Sequence, residues 1–153
     1  MANTYTQLYI HLVFAVKYRD ASLDKSWRHR LYQYMIGLVE HRGHKVYAIG
    51  GIYDHVHILV SMAPKQSVSE LVEDVKRAST AWVKENRLVR TRFAWQEGYG
   101  AFSYSKSQIN SVVNYIQRQE VHHLKHTFRD EYLSFLKLFE IPYDEKYVFK
   151  EME

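Results

Sequence analysis

The stretch Asp54-His55-Val56-His57-Ile58-Leu59-Val60-Ser61-Met62 decides the fold. In an extended chain, Val56, Ile58, Val60 and Met62 fall on one side and His55, His57, Leu59 and Ser61 on the other. Pro64 stops the pattern. The reading is a strand from His55 to Met62 with one wholly apolar face and one face that carries two imidazoles. Asp54 marks a short turn before it. Val46 to Ile52 makes the preceding strand, broken at Gly50-Gly51. Further back, Trp27, Leu31, Tyr34, Met35, Leu38 and Val39 follow helical spacing, and Gly43 stands where a C-cap would end that helix. Tyr5 to Lys17 alternates again: Leu8, Ile10, Leu12, Phe14 and Val16 face one way, and Tyr9, His11, Val13 and Ala15 the other.

Downstream, Ser67-Val68-Ser69-Glu70 is a capping-box start for a helix whose Val68, Leu71, Val72, Val75 and Trp82 face inward. Phe93 to Ser105 holds a fourth strand, interrupted by Gly98-Tyr99-Gly100. From Ser107 a helix runs toward His126 with Ile109, Val112, Val113, Ile116 and Leu124 as its apolar stripe. A last short helix, carrying Tyr132, Phe135, Leu136 and Phe139, ends before Pro142.

Strand, helix, strand, strand, helix, strand, then extra helices is the order of an α+β chain. It predicts a ferredoxin-like split β-α-β-β-α-β unit with a four-stranded antiparallel sheet, followed by C-terminal helices that carry Tyr115. In that arrangement the first and third strands are central neighbours, and the crossover helices cover the face of Leu12 and Ile58. His11, His55 and His57 are left on the other face. Polar chemistry on an open sheet surface is the expectation.

Composition narrows the class. The chain has 153 residues, 46% of them hydrophobic, enough for one domain to bury a core without a covalent staple. The absence of Cys excludes a disulfide framework, a zinc ribbon and a cysteine nucleophile, and it fits a reducing compartment. No apolar run approaches the roughly 18 residues of a membrane span, and Met1-Ala2-Asn3-Thr4 lacks the start of a signal peptide. The expectation is a soluble, cytoplasmic protein. Lys and Arg number 21 against 17 acids, a net charge of +4, and there are 13 Tyr. A positive excess with many flat rings suits a surface that holds phosphates and stacks bases; it suits an ordinary basic enzyme as well.

Two constellations carry candidate chemistry. Alternation puts the imidazoles of His55 and His57 on one side of a strand, two residue rises or about 6.6 Å apart, where both can reach one divalent ion. Taken alone, the pair also fits two polar residues on a half-exposed strand. Tyr115 and Gln119 stand four apart on a helix, one face, with His122 continuing it. Taken alone, Tyr115 fits the border of an apolar stripe. Together they say more. A phenol with a pKa of about 10 is a poor nucleophile at neutral pH unless its target is polarised. A divalent ion held by His55, His57 and Gln119 would polarise a phosphodiester.

In its setting, Gly51-Ile52-Tyr53-Asp54-His55-Val56-His57-Ile58-Leu59 resembles the His-hydrophobic-His motif of HUH-type single-tyrosine transposases, and Tyr115-Ile116-Gln117-Arg118-Gln119 resembles the Tyr-x-x-x-Gln helix of the insertion sequence 200/605 group. Three further stretches look like the same group: Val16-Lys17-Tyr18-Arg19, Trp95 to Ser103, and Pro142 to Tyr147. The resemblance implies a single transposase domain over 1–153, with a core at about 4–105, a tyrosine helix at about 106–126 and a C-terminal helix and tail at 130–153. It implies cleavage and rejoining of single-stranded DNA at insertion-sequence ends through a 5′-phosphotyrosine. Tyr115 would be the catalytic nucleophile, and His55, His57 and Gln119 would hold Mg²⁺ or Mn²⁺. DNA hairpins near the element ends are the implied partner. The implied assembly is a homodimer in which Tyr115 of one chain can serve the histidines of the other.

The remaining candidates are less decided. His11 shares the face of His57 on the neighbouring strand and reads either as a partner that fixes an imidazole tautomer or as a satisfied, partly buried histidine. His122, His123 and His126 read as decoration of a helix C-terminus, with a place near the metal as a second reading for His122, while Phe14-Ala15-Val16, Trp27 and Trp82 read as core. Lys17, Arg19, Lys76, Arg77, Lys84, Arg87, Arg90 and Arg92 are the candidate DNA contacts. Three alternatives share these features: a domesticated relative acting on chromosomal palindromes, a non-catalytic nucleic-acid-binding module, and a metal hydrolase that uses water as nucleophile.

Overall fold

The computed structural model describes residues 3–153. Four strands, β1 (Tyr9–Ala15), β2 (Lys45–Gly51), β3 (His55–Ser61) and β4 (Gly100–Tyr104), form one antiparallel sheet in the order β2-β3-β1-β4. The first and third strands are thus the central pair, as the element order predicts. Helices α1 (Arg28–His41) and α2 (Val68–Glu85) make the two crossovers, and α3 (Ile109–Gln117), α4 (Gln119–His122) and α5 (Phe128–Leu138) follow the last strand. Among the described residues no helix is long and apolar enough to cross a membrane.

The apolar alternation of β1 and β3 does what it predicts. Leu12, Phe14, Val16, Val56, Ile58 and Val60 are fully buried and pack with Leu31 and Met35 of α1 and Leu71 and Val75 of α2. Local signals hold at the ends of these helices. Ser67 Oγ accepts from Glu70 N at 3.1 Å while Ser67 N donates to Glu70 Oε1 at 3.1 Å, closing the capping box. Gly43, with φ of +93°, follows the C-terminus of α1 in the left-handed region that favours glycine. Trp27 is buried, but Trp82 is only half-buried and stacks on Tyr34 with ring centroids 5.6 Å apart.

The second face departs from expectation. It is not an open surface: α3 lies on β2 and β3, α5 lies over β1 and β4, and His11, His55 and His57 are completely buried. Apolar contacts hold both helices down. Ala48 and Leu59 of the sheet pack with Ile109, Val112 and Ile116 of α3. Phe135 of α5 stacks on Phe102 of β4 with centroids 5.1 Å apart. Gly50 permits the close approach of α3, because a Cβ there would stand 2.5 Å from the carbonyl oxygen of Ile116. The Gly50-Gly51 break predicted in β2 is absent: both glycines pair with β3, and the irregularity falls between Val46 and Ala48. The fourth strand is shorter than read, since Trp95 contributes only an isolated bridge to Val16.

The helix expected to run on toward His126 is broken after Gln117. Arg118 takes φ −102° and ψ 20°, and the four-residue α4 resumes on a new course. Leu124, expected in the apolar stripe, is 81% exposed as a result. The break lets the polar side chains of Gln119 and His123 turn inward to a buried carboxylate.

Candidate active site

The gap between α3 and α5 lies over the two histidines of β3, and polar side chains from β1, β3, α3, α4 and α5 meet there. Antiparallel register sets Val13 opposite His57, with His11 two residues back on the same face of β1. His11 Nε2 consequently lies 2.7 Å from His57 Nδ1. Contact between these two rings is what one reading of His11 anticipates, and the complete burial of His11 differs from the partly buried alternative. The other ring nitrogen of His11, Nδ1, has no partner among the described residues. His55 Nδ1 stands 2.7 Å from Asp54 Oδ1, and its Nε2 lies 2.8 Å from Gln119 Oε1.

The centre of the site is Glu131, on the first turn of α5, which the sequence reading did not single out. Its side chain is 2% exposed. Oε1 lies 3.0 Å from His57 Nε2, 3.4 Å from His55 Nε2 and 3.3 Å from His123 Nε2. Oε2 accepts from the Tyr115 hydroxyl and, at 3.0 Å, from Gln119 Nε2, and lies 3.3 Å from His122 Nε2. Tyr115 is therefore brought beside His57 within one chain, with ring centroids 5.9 Å apart. His122 and His123, read as helix-end decoration, belong to this cluster instead. A signal for Glu131 exists in the sequence: with Phe128, Tyr132 and Phe135 it occupies the inward helical stripe, where a carboxylate needs a reason.

The charges are interdependent. Burial alone would lower the pKa of His55, but hydrogen bonds to Asp54 and Glu131, together with their charges, outweigh it and raise the value to about 9. His57 and His11 go the other way, since burial pushes both down and other imidazoles oppose their protonation. Burial opposes ionisation of Glu131 as well, yet the hydrogen bonds from His123, His55 and His57 hold its carboxyl far below the usual range. Burial and then the Glu131 charge push the Tyr115 phenol well above its ordinary value, so the hydroxyl is held protonated.

A cleft of about 580 Å³ opens beside Tyr115 between α3 and α5, with Tyr104, Val112, Phe135 and Leu138 as its apolar walls. Among the described residues no Lys or Arg lines it. The candidate DNA cations lie elsewhere. Lys17, Arg19, Arg77, Lys84, Arg87, Arg90 and Arg92 are exposed, the guanidinium of Arg92 sitting 3.7 Å over the Tyr18 ring. Arg77 and Lys84 belong to α2, across the sheet from Tyr115. Lys76 is engaged, its Nζ donating to the carbonyls of Gln96 at 2.9 Å and Gly98 at 2.5 Å, and burial lowers its pKa to about 8.

The comparisons with known proteins give a class to this α+β sheet with paired histidines on a central strand and a tyrosine helix laid over them. The family profile described as "Transposase IS200 like" matches residues 4–119. The chain belongs to the IS200-like transposase family, and DNA transposition and recombination are the activities of that family. It is 26% identical over 118 residues to the ISDra2 transposase TnpA of Deinococcus radiodurans, covering 74% of this chain and 84% of the relative. It is 27% identical over 124 residues to the transposase for insertion sequence element IS200 of Salmonella typhimurium, covering 78% of this chain and 81% of the relative. Two solved structures share the fold. A candidate transposase of Deinococcus radiodurans R1 superposes with a TM-score of 0.61 at 22% identity, over 76% of this chain and 94% of that one. A REP-associated tyrosine transposase bound to a REP hairpin does so with a TM-score of 0.60 at 15% identity, over 79% and 72%. The profile ends at Gln119, so His122, His123 and Glu131 lie beyond the matched region.

Proposed function

We propose that this transposase cleaves and rejoins single-stranded DNA at insertion-sequence ends through a 5′-phosphotyrosine at Tyr115. The observation that carries the reading is convergence: the Tyr115 hydroxyl and the Nε2 atoms of His55 and His57 all meet one buried carboxylate. Tyr115 Oη attacks phosphorus, the bond from phosphorus to the 3′ oxygen breaks, and that oxygen takes a proton from solvent water, to which Glu131 later returns the proton of the phenol. The phenol's own proton passes to Glu131 Oε2, the atom that already accepts its hydrogen bond. In the reverse step a 3′-hydroxyl attacks the phosphotyrosine, so the bond energy is kept and no ATP is needed.

The donor set fits a divalent cation, Mg²⁺ or Mn²⁺. With Nδ1 of His55 turned to Asp54, its Nε2 lies against two oxygens, Gln119 Oε1 and Glu131 Oε1, so either a proton or a metal ion has to sit among them. His55, His57 and Gln119 would hold the ion, which supplies Lewis-acid polarisation of the scissile phosphate. Asp54 and His11 orient the two imidazoles from behind. Apolar walls beside Tyr115 suit a nucleobase next to the scissile phosphate.

Hairpin DNA is the proposed partner, in keeping with the REP hairpin carried by the solved neighbour. Exposed Lys17, Arg19, Arg77, Lys84, Arg87, Arg90 and Arg92 are its proposed phosphate contacts, with Lys76 committed to backbone carbonyls. A homodimer is the proposed assembly, and the within-chain approach of Tyr115 to His57 favours a site built in cis. The test is incubation of a single-stranded end oligonucleotide with protein and Mg²⁺ on a denaturing gel. A protein–DNA adduct that vanishes with Tyr115→Phe is expected. Free fragments with no adduct would instead mean hydrolysis by water.

A further inference from the structure

Glu131 is a buried carboxylate without a permanent cation. Among the described residues no Lys or Arg lies within ion-pair distance of it; its neighbours are four histidines, Tyr115 and Gln119. A carboxylate taken out of water is costly unless it is paired or bound to a metal. One imidazolium can supply part of that charge, yet the spacing of the donor atoms carries a further meaning. Ligands of an ion with bonds of about 2.1 Å stand about 3.0 Å apart at right angles and about 3.4 Å apart at tetrahedral angles. Glu131 Oε1 lies 3.0 Å from His57 Nε2 and 3.4 Å from His55 Nε2, and Gln119 Oε1 lies 2.8 Å from His55 Nε2. These separations suit ligands of one centre as well as hydrogen bonds, and the ligand atoms of His55, His57 and Glu131 all lie within 4.8 Å of one another.

We propose that Glu131 Oε1 is itself a ligand of the divalent ion, completing a set with His55 Nε2, His57 Nε2 and Gln119 Oε1. The inference rests on the metal-assisted reading above and extends the site onto α5, outside the family match. Two imidazoles and an amide bring no negative charge to an ion; a carboxylate brings one, and a hard oxygen that suits Mg²⁺ or Mn²⁺. The geometry also gives the carboxylate a second role. With Oε1 on the ion, Oε2 still faces the Tyr115 hydroxyl and Gln119 Nε2, so one rigid group sets where the nucleophile stands relative to the metal. The anchors are the buried neighbours of Glu131 on α5, Phe128, Tyr132 and Leu136, and the Thr127 cap.

The test uses the full chain without DNA. Crystals soaked in Mn²⁺ are examined for anomalous density, which needs no variant and no activity. The expected result is an ion bonded at about 2.1 Å to Glu131 Oε1 and to both histidine Nε2 atoms. An ion held by His55, His57 and Gln119 with the carboxylate beyond about 3.5 Å, or no ion at all, overturns the proposal. Calorimetric titration with Mn²⁺ gives a second readout. Glu131→Gln, shown to be folded by circular dichroism, should bind about tenfold or more weakly, and any smaller loss counts against the proposal. Failure here stays distinct from failure of the strand-transfer reading. An adduct formed without Glu131 on the ion sinks only this inference, whereas Mn²⁺ on Glu131 with no adduct sinks only the tyrosine chemistry.

Discussion

The two faces of the sheet are built on opposite principles. Under α1 and α2, Leu12, Phe14, Ile58 and Val60 belong to one apolar cluster, and an apolar residue of similar volume satisfies the demand. Under α3 to α5, His11, His55, His57, Gln119 and Glu131 are just as buried but form a chain of polar contacts in which each atom depends on the next. A buried polar network of this kind is fixed by the geometry of each contact, whereas an apolar core is fixed by volume. Among the described residues this network sits on one face, which separates the half of the molecule that holds the fold from the half proposed to do the chemistry.

Substitutions on the two faces should therefore fail in different assays. His57→Ala should reduce strand cleavage by about a thousandfold or more while hairpin binding, read by gel shift, stays within a few fold. Equal loss of binding would mean that the polar face also holds the scaffold. Phe14→Ala, on the apolar face, should cost about 3–5 kcal/mol in denaturant unfolding, with adduct formation per folded molecule unchanged.

Titration sharpens the contrast. The folded pKa of His55 is raised to about 9, above its ordinary value near 6.5, so its contribution is complete below about pH 6.5 and is lost as pH rises through about 9. Metal-free protein should lose on the order of a few kcal/mol across that window, and Asp54→Asn should flatten the slope. His57 and His11, with lowered values, act in the opposite sense: their contribution is lost as pH falls below about 6.5. A stability profile with no slope between pH 6.5 and 9 would remove the imidazolium at His55. The smallest effect belongs far from the site. Ser67→Ala should cost about 1 kcal/mol through the lost α2 cap and leave cleavage untouched.

The same contrast explains what the sequence discloses. Alternation around Val56 and Ile58 needs only nearest neighbours, so β3, its central place and the apolar core are readable from a dozen residues. The capping box at Ser67 is equally local. The histidine pair and Tyr115 are readable because their chemistry is carried in short spacings. Burial of that face is not: it depends on α3 and α5 folding back, and the apolar contacts that bring them, Leu59 with Ile116 and Phe102 with Phe135, join distant segments. Glu131 is the hardest case. It stands 74 residues from His57, and an acid in the first turn of a helix is ordinary for reasons that involve no site. Only its position in the inward stripe beside Phe128 and Tyr132 hints at a buried role. The break at Arg118 carries no glycine or proline to announce it; the demand comes from Gln119 and His123 reaching the carboxylate.

The central claim is that the phenol over the histidines is the atom that joins DNA. Peptide mapping by mass spectrometry after reaction with a single-stranded end oligonucleotide, Mg²⁺ and nuclease trimming tests it most directly. The account predicts a nucleotide adduct on the peptide that contains Tyr115, attached through its hydroxyl. Cut DNA with unmodified Tyr115, or the adduct on another residue, would contradict it.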